Sequence, residues 1–432
     1  MTCASPLEQA DGARTQPEAA DGTAVEFLLT FARIGHRAGY PTADLEERVE
    51  SLAAALTLEG AEVSATPTLI ELSLGSLPRR RSYSLRVRPT TVDLDAIARL
   101  DDLVQDVLDE RLAVREALEH LSEIAARPLK RPWFVQLAAY ALAGAAVTPV
   151  LGGGWRELVA GGVVGLLVGV IALFARRTAR AEPMVAPLAA VVASFSAGAL
   201  AQLGLDAAPD VVTLAALVTF LPGMALTIGV RELASEHLQS GVSNTANALV
   251  QLLGLVFGVG VGRSVAVSWF GVPDQRVLHA TFADTHVLAA IAAGLAFTVT
   301  LRAPSRAAPV MCAATVLAIT VNAAGKALLG GPAGVFVAAL AIGAVGGLLA
   351  APLRRSALVF IVPGVLILVP GSAGFSSVLQ LLTGQTVSGI DAGFNTFVTA
   401  MAIAYGLMVS TVILPRRFTQ LGARRSPEEG KP

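Results

Sequence analysis

The chain has 432 residues, 54% of them hydrophobic and 15% charged, a balance that excludes an ordinary soluble protein. Its net charge of −1 conceals a division: 22 acidic against 12 basic residues over 1–126, and 11 against 20 over 127–432. The basic residues of the second part lie in short clusters between apolar runs, which excludes a nucleic-acid footprint.

Residues 1–22 are rich in Ala, Asp, Glu, Gln and Pro and read as a disordered leader. With no apolar core they do not resemble a signal peptide, so the following domain is expected in the cytoplasm. That domain, 23–126, reads as α+β. Ala24–Ala38 has the spacing of an amphipathic helix, and Thr42-Ala43-Asp44 is expected to cap a second one reaching about Leu58. Ala61–Thr66, Leu69–Leu74 and Tyr83–Val87 alternate as strands, with Arg79, Arg80 and Arg81 in a turn. Asp93 or Asp95 then starts a helical region ending near Ala126, broken around Arg111. No Ser/His/Asp or Cys/His arrangement argues for catalysis, and a regulator or gating lid is the expected role, with a hydrolase as the alternative. Cys3 and Cys312 suggest no disulfide, and the five histidines show no metal-ligand spacing. The expectation is no cofactor, no metal and no enzyme activity.

A bilayer core of about 30 Å needs roughly 20 apolar residues per helix. Ten candidates follow: 133–151, 158–174, 185–205, 211–230, 244–263, 284–301, 309–326, 333–351, 357–377 and 391–414. Lys and Arg in the connecting loops set orientation. Fifteen fall on one side (among them Arg127, Arg131, Arg231, Arg302 and Arg354) and four on the other (Arg156, Arg263, Arg276 and Lys326). Both termini are therefore expected in the cytoplasm, flanking a first five-helix module over 127–270, a second over 271–417 and a tail, 418–432.

The two modules share a signature at one constant offset. Pro222-Gly223, Ser240-Gly241 and Asn247 recur 148 residues later as Pro370-Gly371, Ser388-Gly389 and Asn395. Without a gap, Ala225, Val230, Leu233 and Val250 also match Ala373, Val378, Leu381 and Val398. Five helices per half is an odd number, so the halves enter the membrane in opposite senses: an all-α polytopic membrane protein of two inverted repeats, the construction of many secondary transporters.

Pro-Gly should interrupt a helix, and in lipid an interruption is tolerated only where the freed groups face protein, water or a ligand. Helix nine should break twice, at Pro363-Gly364 and Pro370-Gly371. Ser243 and Asp391 correspond in the repeat and sit where N-caps would. The expected substrate cavity is lined by Pro222, Gly223, Ser240, Gly241, Asn244, Asn247 and Gln251 and by Pro370, Gly371, Ser372, Ser388, Gly389, Asn395 and Thr399. Plain helix capping is the alternative for Ser240, Ser243 and Asp391, and interhelical hydrogen bonding for Asn247 and Asn395. Asp391 and Asp284 are the candidates for proton coupling, whereas Glu232, Glu236 and His237 are expected in a solvated connector. The ladder Gly161, Gly165, Gly169 and the pair Gly343/Gly347 read as helix packing. Gly258-Val259-Gly260-Val261-Gly262 lacks the βαβ setting of a dinucleotide loop, and the sequence holds no Walker A motif.

Several runs resemble the bacterial threonine/serine exporter family: Leu45-Glu46-Glu47-Arg48-Val49-Glu50-Ser51-Leu52-Ala53, Thr66-Pro67-Thr68, Leu221-Pro222-Gly223-Met224-Ala225-Leu226-Thr227, Arg231-Glu232-Leu233, Val362-Pro363-Gly364 and Leu368-Val369-Pro370-Gly371-Ser372. One departure is Val365-Leu366-Ile367-Leu368, where the family pattern would carry a second proline. The resemblance implies a proton-driven exporter of threonine and serine in the cell membrane, with lipid, protons and substrate as its partners and a homo-oligomer left open. Two-subunit relatives of the same modules imply dicarboxylate export as the rival substrate. A rival from another class is a membrane-anchored sensor or enzyme acting through residues 24–126.

Overall fold

A computed structural model describes residues 15–78, 80–87, 92–126, 131–175, 182–271, 285–350, 356–368, 370–382 and 384–413. Asp284, Arg127, Arg276, Arg354, the tail 418–432 and the first 14 residues of the leader lie outside the described residues. The chain divides into two compact units, one up to Pro128 and one over Leu129–Pro415.

The N-terminal unit begins with α1 (Thr15–Ala38), which starts inside the segment read as a disordered leader. Ala24, Phe27, Leu28, Phe31 and Ala32 recur every three or four positions and are all buried, so burial of one stripe holds the helix. α2 (Thr42–Ala55) is preceded by Pro41 without a side-chain cap, so the expected capping by Thr42 or Asp44 is not what starts it. β1 (Glu62–Ala65), β2 (Leu69–Leu74) and β3 (Arg81–Arg86) form an antiparallel meander in the order β1-β2-β3. Arg81 belongs to β3 rather than to the turn. Ile70, Leu72 and Leu74 point inward while Glu71 points out, the period-two pattern of a half-buried strand. Asp93, not Asp95, caps α3 (Leu94–Leu108), accepting from Ala96 N at 3.0 Å. Arg111 lies in the break before α4 (Val114–Ala126).

The core of this unit contains one charged network. Asp101 Oδ1 accepts from Arg48 Nε at 2.7 Å and from Tyr40 Oη at 2.6 Å, and Arg48 Nη1 donates to Asp44 O at 2.8 Å. Burial and then the Asp101 charge push the Tyr40 phenol well above its ordinary value. Burial works against the Arg48 charge, but Asp101 outweighs it and holds the guanidinium protonated.

The second unit is helical: α5 (Trp133–Val150), α6 (Trp155–Ala175), α7 (Val185–Leu200), α8 (Pro209–Ala216), α9 (Gly223–Ala234), α10 (Leu238–Phe270), α11 (Thr285–Thr300), α12 (Ala308–Leu329), α13 (Gly331–Ala350), α14 (Leu358–Leu368), α15 (Pro370–Leu382) and α16 (Thr386–Ile413). Among the described residues eight helices are long and apolar enough to cross a membrane. A ninth is counted if α8 and Val218–Ala234, bent by 50° against each other, form one span, and α11 is a shorter apolar helix. α10 extends to 33 residues, about 50 Å at 1.5 Å per residue, because its polar first turns stay helical beyond the apolar window.

Close approach at small residues holds these helices together. A methyl group on Gly144 of α5 would strike Gly161 O of α6, and one on Gly165 would lie 2.5 Å from Tyr140 O. The glycine ladder of α6 is thus a packing surface, as is Gly343; Gly347 faces open space. The packing of the first five segments reappears in the last five. α5 lies on α6 as α11 lies on α12, α6 on α7 as α12 on α13, and α7 on α10 as α13 on α16. α9 packs on α10 as α15 packs on α16, and across the halves α9 meets α16 while α15 meets α10. Arg131, just before α5, donates to Ala303 O, just after α11, so these two packed helices run antiparallel.

Candidate functional site at the α9–α10 crossing

The site is built around Pro222. The residue before a proline is driven out of the α region, and Leu221 is extended at φ −65°, ψ 126°. The chain passes through a 3-10 turn, Val218–Phe220, and restarts as α9 with Pro222 as N-cap. Thr219 Oγ1 is buried in this bend with no hydrogen-bond partner. The counterpart in the second half differs. Leu358–Leu381 counts as a single 24-residue span, and Pro363 lies inside helix α14. The expected break of helix nine at Pro363-Gly364 is therefore corrected, because Pro363 lies inside α14, while the one expected at Pro370-Gly371 falls at Val369, outside the described residues. Among the described residues the one bend sharper than 40° lies between α8 and Val218–Ala234. A helix can run through an internal proline when neighbours satisfy the freed carbonyl, and Val359, Phe360 and Val362 are all packed inside.

α9 then crosses α10 at glycines. A methyl on Gly241 would lie 2.8 Å from Leu233 N, and one on Gly229 2.5 Å from Thr245 Oγ1. At the same offset of 148, a methyl on Gly389 of α16 would lie 2.9 Å from Leu381 N of α15. The second contact returns with its partners exchanged: Ser377 on α15 faces Gly393 on α16, where Gly229 faced Thr245. Ser377 Oγ donates to Gly389 O at 2.7 Å. An exchange of the same kind joins α7 to α10 and α13 to α16, where Ser194 faces Gly262 and Gly343 faces Ser410. In α5 and α11, Thr148 donates to Gly144 O and Thr298 to Gly294 O, both at 2.8 Å.

The structure places the remaining candidates as follows. Ser240, Gly241, Gly371 and Gly389 are buried, and Ser372 and Thr399 half-buried. Asn247, Gln251, Ser388, Asp391 and Asn395 are exposed on the single chain, so they do not line an enclosed cavity in this conformation. Ser243 and Asp391 lie one turn or more inside α10 and α16 rather than at N-caps, and Ser243 Oγ donates to Gln239 O at 2.8 Å. The helices begin earlier than their apolar windows, which is why the capping assignment was displaced.

The residue that sequence reasoning set aside is Glu232. It is 2% exposed, and its carboxylate oxygen Oε2 accepts from Asn244 Nδ2 at 2.7 Å, joining α9 to α10. Glu236 and His237 are exposed, in keeping with a connector, but Glu232 belongs to the helix before it. A signal was present: Glu232 lies three residues after Gly229 and one before Leu233, both on the face that meets α10. Among the described residues of this unit, Glu232 is the one buried charged side chain. No group of His, Cys, Asp and Glu among the described residues could hold a metal ion.

A chain with this many apolar helices, broken and crossed at small residues, is a multi-pass membrane protein. It belongs to the threonine/serine exporter family: the family profile matches residues 26–266, and a second threonine/serine exporter profile, ThrE, matches 286–413. It is 25% identical over 415 residues to a "probable threonine/serine exporter" of Mycobacterium tuberculosis, covering 89% of this chain and 75% of that one. It is 27% identical over 264 residues to an uncharacterised protein of Schizosaccharomyces pombe, covering 59% of this chain and 34% of that protein. A second uncharacterised protein of that yeast is 24% identical over 434 residues, or 90% of this chain and 51% of the other. The chain thus spans about a third and about half of the length of these two yeast relatives. No solved structure matches it.

Proposed function

We infer that this protein exports small hydroxy amino acids, threonine and serine, across the cell membrane as a secondary transporter. In this reading ten spans form two inverted five-helix halves, both termini and the 23–126 domain lie in the cytoplasm, and the proton gradient drives transport. The observation that carries it is the repeated packing. Contacts recur at an offset of 148 or 149 residues, with serine or threonine and glycine exchanged between partners, and the Thr148 bond to Gly144 O returns unexchanged 150 residues on as Thr298 to Gly294 O. The equivalent helices α5 and α11 run antiparallel, as inversion requires. Family membership and the relative named for threonine/serine export support the substrate.

Within this reading Ser240, Asn244, Asn247 and Gln251 and their counterparts Ser388, Asn395 and Thr399 become a substrate path when the α9–α10 and α15–α16 crossings part. Asp391 and Asp284 stay candidates for proton transfer along it. The buried acid favours an amino acid over a dicarboxylate, because a substrate ammonium needs a negative partner and a dicarboxylate needs a positive one.

Counterflow in proteoliposomes with labelled threonine, serine, alanine and succinate, with and without an imposed pH gradient, tests the reading. Threonine and serine should exchange and respond to the gradient. Exchange of succinate alone would transfer the assignment to dicarboxylates, and exchange of none would end it.

A further inference from the structure

We propose that the Glu232 carboxylate is the point at which the ammonium of the outgoing amino acid and an incoming proton replace one another. The proposal rests on the exporter reading above and names the chemistry of its site. Three observations lead to it.

The first is burial without a structural need. Glu232 is 2% exposed within an apolar unit, where a carboxylate is costly unless it has work to do. The equivalent crossing in the second half dispenses with it. There Gln380 and Ala392 occupy the positions of Glu232 and Asn244, yet Leu381 and Gly389 meet as closely as Leu233 and Gly241. The carboxylate–amide pair is therefore not what brings such helices together.

The second is the partner. Asn244 donates its amide to the carboxylate at 2.7 Å. A primary amide offers both donors and an acceptor, so a rotation about its last bond lets its oxygen receive the proton of a carboxylic acid instead. The same neighbour thus satisfies Glu232 with or without a proton. When the substrate's ammonium donates to the carboxylate, the charges of the two cancel, as they do when a proton binds. Occupancy by one excludes the other, which is the competition that exchange requires.

The third is the position on a hinged element. α9 has 12 residues, is preceded by the extended Leu221 and Pro222, and belongs to the segment Val218–Ala234 that is bent by 50° from α8. Movement of α9 about that bend would open the crossing and expose the carboxylate. Other charged groups on the surrounding elements are few. α9 itself carries Arg231 beside Glu232, and the connector carries Glu236 and His237; α10 carries none before Arg263, α14 and α15 none, and α16 only Asp391.

The test is equilibrium binding of radiolabelled threonine to the purified full chain in nanodiscs between about pH 5 and 8. Wild type should lose affinity as the pH falls, approaching about tenfold per pH unit once the proton competes fully. Glu232→Gln should bind about 10- to 100-fold more weakly and lose that dependence. Gln380 shows that glutamine is accommodated at the equivalent crossing, and Glu232→Asp, which keeps an ionisable group, should retain the dependence with its midpoint displaced. Wild-type affinity and wild-type pH dependence in Glu232→Gln would overturn the proposal. If that variant fails to fold, an unchanged affinity and midpoint in Glu232→Asp would overturn it equally. Absence of threonine and serine binding in wild type would instead remove the exporter reading, and this proposal with it.

Discussion

The exchanged contact between Gly229 and Thr245 permits a direct test of whether the two crossings are copies of one design. A side chain at 229 would begin 2.5 Å from Thr245 Oγ1 and 2.9 Å from Thr245 N, well inside van der Waals contact. Gly229→Ser alone therefore overpacks the crossing and should cost about 1–3 kcal/mol. Thr245→Gly alone removes a packed side chain and loosens α10, at about 1–2 kcal/mol. Together the two changes recreate the Ser377–Gly393 arrangement that the second half already uses. The double variant only moves one glycine from α9 to α10, so its net helix-propensity cost should be within about 0.5 kcal/mol of zero. The coupling energy should then be about 2–5 kcal/mol in favour of the pair. Thermal unfolding of the four purified proteins in detergent, alongside threonine counterflow, completes the cycle. If the double variant is destabilised by the sum of the single changes, the exchange is a coincidence of composition and the structural argument for duplication loses its strongest element.

Three further outcomes follow from the same geometry. Pro222→Ala should let the helix run straight toward α9 and slow threonine counterflow by at least about tenfold while leaving the melting temperature within a few degrees; unchanged transport would separate the bend from function. In the N-terminal unit, burial lowers the His36 pKa below its ordinary 6.5, against the weaker effect of the Nε2 hydrogen bond to Thr66 O. The unfolded chain therefore takes up the proton first, so this unit should lose stability as pH falls below about 6.5, and hydrogen exchange of α1 should show a slope that His36→Gln removes. Asp101→Leu alone strands the Arg48 guanidinium and should destabilise the unit by about 3–5 kcal/mol, whereas Arg48→Met with Asp101→Leu should recover most of that loss, read by the same exchange experiment.

Much of the architecture was legible because membrane helices advertise themselves by length and hydropathy, and because a constant offset survives in the sequence without gaps. The crossings were not legible in the same way. Gly229 with Thr245 and Ser377 with Gly393 show no identity in a linear comparison; they match only once each pair is seen in contact, since what is preserved is the joint volume. Ser194 with Gly262 and Gly343 with Ser410 are hidden for the same reason. Hydropathy also misjudged polar helix ends. α10 begins six residues before the window that suggested it, which drew Ser243 toward a capping role and left Asn244 without its partner. Glu232 was assigned to solvent because charged neighbours follow it, although the helix continues through Ala234 before it ends.

The two proposed halves share their crossings but not their chemistry, and the differences fall on one element. The 50° bend between α8 and Val218–Ala234, the unsatisfied hydroxyl of Thr219 and the buried carboxylate of Glu232 all belong to the first half, on or next to α9. The second half keeps its span continuous through Pro363 and places Gln380 where the acid would be. In the proposed alternating-access reading, two gates with equivalent packing would have similar closing energies, which would keep inward-open and outward-open states close enough in free energy to interchange. A ligand can bias such a pair only through an interaction that differs between the states. A charge on the 12-residue α9 would supply that difference, because its solvation changes when the crossing parts, whereas the neutral amide of Gln380 on α15 would supply little. The symmetry of the scaffold would then provide the two states, and the asymmetry at α9 would decide which ligand moves the protein between them.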